Sequence, residues 1–328
     1  MSSGSLALGN SLHLPWRSGS IHAMVSSCPY YGNRVYAGVP STAWPEIEYT
    51  PLPGGRVICI PAWTGCLGLE PDLLMYVAHL VAIYREMYRC LDQRGVAWLN
   101  IADGYAADSY IRFTSEDRFA RVKSKGYQNW LATNRGSARL QQQYRRKTRS
   151  QFTQMGLPVK NLLGVTWRVA FALMADGWDL VYDAVWAKGR DGTVNGFGYG
   201  AAFPSPLLDR PMLTHECVFA FAKGPETWFD RSGLSREFGS VWTLNTGVNR
   251  GSHTATYPEE LVERCLRLSF PASGERPSGG LVVGDAFVGS GTTCRVAARL
   301  GARWVGVDLG IVYLREASEQ MAEVRARE

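Results

Sequence analysis

The sequence has no CxxC pair, no internal repeat, no long apolar run and only five histidines in 328 residues. Each absence narrows the choices. A membrane helix needs about 20 consecutive apolar residues, and no segment approaches that, so no membrane partner is expected. The opening MSSGSLALGNSLHLPWRSG has no basic head leading into an apolar stretch, so no secretion signal is read there. The seven cysteines (Cys28, Cys59, Cys66, Cys90, Cys217, Cys265, Cys294) are odd in number and scattered. That usage fits a reducing cytoplasm and argues against a structural zinc site, so no metal is expected. The dinucleotide fingerprint GxGxxG is missing too, because its last glycine would fall on Cys294. A dehydrogenase is therefore a poor reading.

With 46% hydrophobic and 20% charged residues, the chain has the make-up of an ordinary globular protein. Its length suits one large α/β domain, or a domain with an added lobe. The net charge of +6 is unevenly spread. From Arg112 to Lys160 twelve Lys and Arg face two acids, so the remainder of the chain carries a net charge of about −4. A basic segment on a slightly acidic body is the electrostatic footprint of a polyanion-binding protein.

Periodicity divides the chain into strands and helices. IHAMVSS (21–27) is the first apolar strand signal and ends abruptly in the turn-like CPYYGN. The Pro/Gly-rich stretch 39–55 reads as a surface loop. PDLLMYVAHLVAIYREMYRCL (71–91) has helical spacing, with Pro71 in its first turn. GVAWLNIAD (95–103) follows as a buried strand. Beyond the basic segment come a helix over 161–178 closing on Gly177, strands over 179–188 and 215–224, and a helix over 257–269. LVVGDAF (281–287) is then a strand, TTCRVAARL a helix and ARWVGVDL (302–309) a strand, before a charged closing helix. Such alternation predicts a doubly wound, mostly parallel α/β sheet. Residues 189–211 read as a flexible loop. His22 and His79 read as surface residues, and His253 as a residue ordering its loop.

The strand LVVGD turns through Phe287-Val288-Gly289-Ser290-Gly291 into a helix beginning at Thr292, and the next strand ends in Asp308. Glycines let backbone approach a ligand closely, and an acid at that strand end can accept from ribose hydroxyls, so the unit suits an adenosyl ligand. The plainer alternative is a tight strand–helix turn with no ligand.

DAFVGSGTT with GVDL resembles the cofactor motif of amino-group (N4-cytosine/N6-adenine) DNA methyltransferases, written DPFxGSGTT. SHTATYPEELVERCL (252–266) resembles the segment that precedes that glycine loop in the family, and SSCPYYG (26–32) resembles its catalytic [DNS]PP[YF] motif. LNIADGYA, NLLGVTWRVAFALMADGW and DRPMLTHECVFAFAKG match the connecting segments in order. The resemblance therefore covers nearly the whole chain outside 109–158. Because the catalytic strand precedes the cofactor loop, the arrangement resembles the circularly permuted class beta.

The resemblance implies S-adenosylmethionine as cofactor and a sheet of the S-adenosylmethionine-dependent methyltransferase type, with a basic insertion. It implies a catalytic half over 1–110, a DNA-contact and target-recognition insertion over 111–160, and the remainder with the cofactor-binding half over 161–328. It implies Ser27, Cys28, Pro29 and Tyr30 as catalytic residues: the Ser27 side chain and Cys28 carbonyl accept from the target amine, Pro29 stiffens the turn, and Tyr30 stacks on the flipped base. It implies Asn10, Ser26, His253, Thr256, Pro258, Asp285, Phe287, Gly289, Ser290, Gly291, Thr292, Thr293 and Asp308 at the cofactor. Asn10 stands where the family often has Asp. Cys28 and Ala286 stand where it has proline, and both are expected to loosen their loops. The thiol reads as inert rather than nucleophilic.

Arg112, Arg121, Lys123, Lys125, Arg135, Arg139, Arg145, Arg146, Lys147 and Arg149 are the candidate contacts to double-stranded DNA, against the alternative of a solvated basic loop. The expected activity is site-specific N4-cytosine methylation in a cytoplasmic restriction-modification setting. N6-adenine methylation, methylation of RNA or a small molecule, and a catalytically degenerate DNA-binding relative are its competitors. A homodimer and a cognate restriction nuclease are further partners that this setting admits.

Overall fold

The computed structural model describes residues 3–32, 38–106, 157–158, 160–188, 213–229, 239–245, 257–271 and 275–327. The ten candidate DNA contacts, His253, Thr256 and the 189–211 loop lie outside these.

Eight strands form one sheet. In chain order they are β1 (Gly4–Leu8), β2 (Ile21–Ser27), β7 (Leu91–Ile101), β8 (Asp179–Lys188), β9 (His215–Ala222), β10 (Val241–Leu244), β11 (Val282–Asp285) and β12 (Arg303–Asp308). Across the sheet the order is β1-β12-β11-β2-β7-β9-β8-β10. Every neighbouring pair is parallel except the two that β9 makes. The doubly wound, mostly parallel sheet is thus as expected. Strands from either side of the basic segment share it, since β2 lies between β7 and β11.

The period-2 geometry of a strand sends alternate residues to opposite faces. Met24, Ala97, Leu99, Phe219 and Phe221 belong to one core, and Ala23, Val25, Val96, Trp98, Val218 and Ala220 to the other. The first core is covered by α1 (Leu73–Cys90) and α2 (Val165–Ala175). The second is covered by α3 (Glu259–Ser269), α4 (Thr292–Arg299) and α5 (Ile311–Arg327). No described helix is long and apolar enough to cross a membrane.

Four readings need correction. The 39–55 stretch is not merely a surface loop: it holds β3 (Thr42–Trp44) and β4 (Ile47–Tyr49), which pair with β6 (Trp63–Gly65) and β5 (Ile58–Ile60). Trp44, Ile47 and Tyr49 are buried there; the prolines and glycines mark the strand ends, not their middles. Pro71 lies outside its helix, because Asp72 is the N-cap and accepts from the Leu74 and Met75 amides. His79 is no surface residue. It is fully buried on the apolar stripe of α1, 2.8 Å from Glu70 and stacked on Trp44 with ring centroids 3.9 Å apart. His22 is half-buried, and its Nδ1 accepts from the Val282 amide at 2.9 Å, joining β2 to β11.

Candidate active site

The parallel strands all deliver their C-terminal ends to one rim, and β9, running the other way, delivers its N-terminal end to the same place. Ligands in open α/β sheets bind at this rim. A cleft of about 430 Å³ opens there, and both motifs line it although some 260 residues separate them. Asn10, Ser27, Cys28, Pro29, Tyr30, Phe287, Gly289, Ser290, Thr292 and Asp308 all face it.

Helix α1 and a glycine behind it hold the turn after β2. The Tyr76 hydroxyl donates to the Pro29 carbonyl at 2.9 Å and lies 3.4 Å from Cys28 Sγ. The Gly68 carbonyl accepts from the Gly32 amide at 2.8 Å, while the Gly68 amide donates to Glu70 at 2.7 Å. Gly68 has φ +88°, and a Cβ there would lie 2.9 Å from the Tyr30 carbonyl oxygen, so only glycine fits. Glu70, fully buried against His79, has its carboxyl pushed up by burial. Burial also pushes the Cys28 thiol up to about 12, so the sulfur is protonated at neutral pH.

Ser27 Oγ donates to the Tyr30 hydroxyl at 3.2 Å, which leaves its lone pairs for the cleft. The Tyr30 hydroxyl donates in turn to Glu216 Oε2 at 2.6 Å. Glu216 also accepts from Asn100 Nδ2 at 2.9 Å and pairs with Lys188. Sheet register assembles this group: Ser27 is paired with Asn100, and Glu216 with Trp186 two residues before Lys188. Burial and the Glu216 carboxylate hold the Tyr30 phenol well above its usual range.

At the other end of the cleft, Asp308 accepts from the Gly289 amide at 2.9 Å and from the Gly310 amide at 2.8 Å. Gly289 and Gly291 both have positive φ, and Gly291 is the N-cap of α4. Burial lifts the Asp308 carboxyl above its usual range. Asn10 caps its own turn by accepting from the Leu12 amide at 3.0 Å.

Asp285, Ser26 and Thr293 do not reach the cleft wall. They form a buried floor beneath the turns. Asp285 Oδ1 accepts from Ser26 Oγ at 2.8 Å and from the Phe287 amide at 3.0 Å, and Oδ2 accepts from the Tyr257 hydroxyl at 3.0 Å. Burial raises the Asp285 carboxyl to about 6. Pro258, the N-cap of α3, also lies off the cleft wall.

The expected loosening at Ala286 is corrected by this floor. The Ala286 amide donates to Ser26 Oγ at 3.1 Å, a bond proline cannot make, and its carbonyl accepts from Ser11 Oγ at 2.6 Å. The Cys28 side chain is likewise fixed, buried against Tyr76.

Glu216, Lys188, Asn100 and Tyr257 were not among the candidates read from sequence. A buried polar residue beside an apolar run, as Asn100 and Glu216 are, asks for a partner, but nothing local names that partner.

A family model described as DNA methylase matches residues 21–319. The chain is 31% identical over 312 residues to the Type II methyltransferase M.XycI of Xanthomonas campestris pv. cyanopsidis, covering 93% of this chain and 82% of that one. It is 30% identical to the Type II methyltransferase M.SmaI of Serratia marcescens, covering 92% and 84%. Among solved structures, PvuII DNA methyltransferase (cytosine-N4-specific) shares the fold at a TM-score of 0.56 and 16% identity, covering 100% of this chain and 93% of that one. A Thermus thermophilus protein in complex with S-adenosyl-L-methionine shares it at 0.55 and 18%, covering 98% and 94%.

Proposed function

The chain belongs to the N6/N4 DNA methylase family, and from that premise we propose that it methylates the exocyclic N4 of cytosine in double-stranded DNA, using S-adenosylmethionine. The observation that carries this reading is the single cleft lined by both the Ser27–Tyr30 turn and the glycine loop with Asp308.

The cofactor fits the residues present. Gly289 lines the cleft with positive φ and no side chain, and Asp308 supplies a carboxylate oriented by two amides, while Gly291 packs against Ala317 of α5 and lets the loop turn into α4. Phe287 and Tyr313 offer flat apolar surface in the same cleft. Asp308 would accept from the ribose hydroxyls, and the glycine loop would lie along the ligand. When bound, S-adenosylmethionine supplies an electrophilic methyl group.

The protein's own part is to make a poor nucleophile reactive. An amine conjugated to a base ring has its lone pair drawn into the ring. Ser27 Oγ and the Cys28 carbonyl accept its two N–H groups, which localises the lone pair and aims it. Tyr30 stacks on the base after it leaves the duplex. Transfer is then a direct displacement in which positioning supplies much of the rate, and the chemistry asks for no covalent intermediate on the enzyme.

Cytosine is favoured over adenine by Ser27 alone, since in the family that the motif resembles serine at this position goes more often with N4-cytosine and aspartate with N6-adenine. Residues 112–160 supply the DNA contacts through their excess of Arg and Lys. The test is nucleoside mass spectrometry of duplex DNA incubated with the protein and S-adenosylmethionine. N4-methylcytosine is the expected product; N6-methyladenine would refute the base assignment, and unmodified DNA the activity.

A further inference from the structure

Methylating an amine leaves it with one proton too many, and something in the cleft must take it. A serine hydroxyl accepts a hydrogen bond from the amine but is not a base that can keep a proton. An aspartate in its place could. With Ser27 at that position, a carboxylate is needed behind it.

Among the described residues three carboxylates line the cleft: Asp103, Glu216 and Asp308. Asp103 accepts only from backbone, the Gly104, Gly164 and Val165 amides at 2.7, 3.2 and 2.9 Å, and Asp308 likewise from the Gly289 and Gly310 amides, with no described hydroxyl leading from either to Ser27. Glu216 alone of the three is joined to Ser27 through a hydroxyl, by the 3.2 Å bond from Ser27 to Tyr30 and the 2.6 Å bond from Tyr30 to Glu216.

We propose that Ser27, Tyr30 and Glu216 form a proton relay that carries the surplus proton of the target amine to the Glu216 carboxylate. The proposal rests on the amino-methylation reading above. The amine lone pair forms the new N–C bond while the electron pair of the breaking C–S bond stays on sulfur. The N–H proton moves to Ser27 Oγ, the Ser27 proton to the Tyr30 oxygen, and the Tyr30 proton to Glu216 Oε2. Each hydroxyl finishes with one hydrogen, and only Glu216 has gained a proton.

Three features of the site suit this role. Both hydrogen bonds already point from Ser27 toward Glu216, so no hydroxyl has to rotate first. The Tyr30 phenol, buried beside a carboxylate, keeps its hydrogen in the resting site, so it is at once acceptor from Ser27 and donor to Glu216. The net charge of the site is unchanged by the transfer, because the positive charge brought in with the methyl group ends as the proton on Glu216 beside Lys188.

The test uses Tyr30→Phe, Glu216→Gln and the double variant in single-turnover methyl transfer to duplex DNA. Phe keeps the ring that stacks on the base, so KM for DNA should change little while the transfer rate drops about 100-fold or more. Glu216→Gln should fall similarly, and the double variant should be no slower than the slower single one, because both cut the same relay. A readout needing neither cofactor nor DNA is the ¹³Cζ resonance of Tyr30 in tyrosine-labelled protein, which should shift in Glu216→Gln as the charged acceptor is lost. Parental transfer by Tyr30→Phe, multiplying losses in the double variant, or an unmoved Tyr30 resonance would each overturn the relay. A parent protein that leaves DNA unmethylated overturns the underlying reading and the relay together. A parent that methylates DNA no faster than Tyr30→Phe overturns the relay alone.

Discussion

Asp285→Asn should make this protein more stable, and more so as pH rises. The Asp285 side chain is fully buried at the end of β11, and burial raises its carboxyl from the usual 3.8 to about 6. A raised carboxyl pKa means that the fold favours the protonated form. The stabilisation is complete below the unfolded value and is lost as pH climbs through the folded one. Ionising this group inside the fold costs about 3 kcal/mol at pH 8 and about half that at pH 5. Asparagine removes the titration and keeps an oxygen to accept from Ser26 Oγ and the Phe287 amide. Its amide NH₂ can then donate to Tyr257, whose hydroxyl has Thr293 Oγ1 2.5 Å away to receive its hydrogen. Urea unfolding of parent and variant at pH 5 and pH 8 isolates the effect, since other titrating groups are common to both. The stability difference should shift in favour of the variant by about 1.4 kcal/mol between the two pH values. A difference that stays constant, or shifts the other way, would refute the assignment of a strained carboxylate at this position.

Asp308→Ala should weaken S-adenosylmethionine binding by about 1.5–3 kcal/mol, as a charged acceptor is lost and the Gly289 amide is released; calorimetry giving the parental affinity would contradict it. Iodoacetamide at pH 8 should label exposed Cys59 and spare Cys28, whose thiol is buried and pushed up to about 12; peptide mass spectrometry reads this directly, and Cys28→Ala should retain methyl transfer. Neutralising Arg145, Arg146, Lys147 and Arg149 together should flatten the log–log salt dependence of duplex binding by about two to three, with cofactor affinity unchanged. An unaltered slope would take the segment out of the interface.

Local pattern was enough where one face of an element decides its fate. The apolar run of IHAMVSS, and the aromatic and β-branched content of DLVYDAVWAK, placed β2 and β8 at their observed bounds. The helix expected over 161–178 begins instead at Val165, since its first amides are capped by Asp103, some 60 residues earlier in the chain. No local signal marks that. His79 was misjudged for the same reason: its partner Glu70 and its stacking tryptophans come from neighbouring segments that only the fold brings together. The Ser27–Tyr30 turn and the glycine loop were legible as motifs. Glu216, Lys188 and Asn100 were not, because their meeting depends on the antiparallel insertion of β9 beside β7.

The strand order has a consequence for the chain while it is being made. Strand β2 emerges early, yet one of its two neighbours, β11, lies about 260 residues further on, and β1 must wait for β12. Until then the middle of the future sheet is an open edge carrying Ala23, Met24 and Val25, all buried once the sheet is complete. Contacts this distant in sequence close slowly, and an apolar edge left waiting is open to pairing with other chains. A nascent chain halted before β11 therefore displays the turn meant to face the base with no Asp285 floor beneath it. It is an aggregation hazard with no methylating capacity, so recovery of soluble protein should depend more on the synthesis rate, and on chaperones that shield β2, than on the stability of the finished fold.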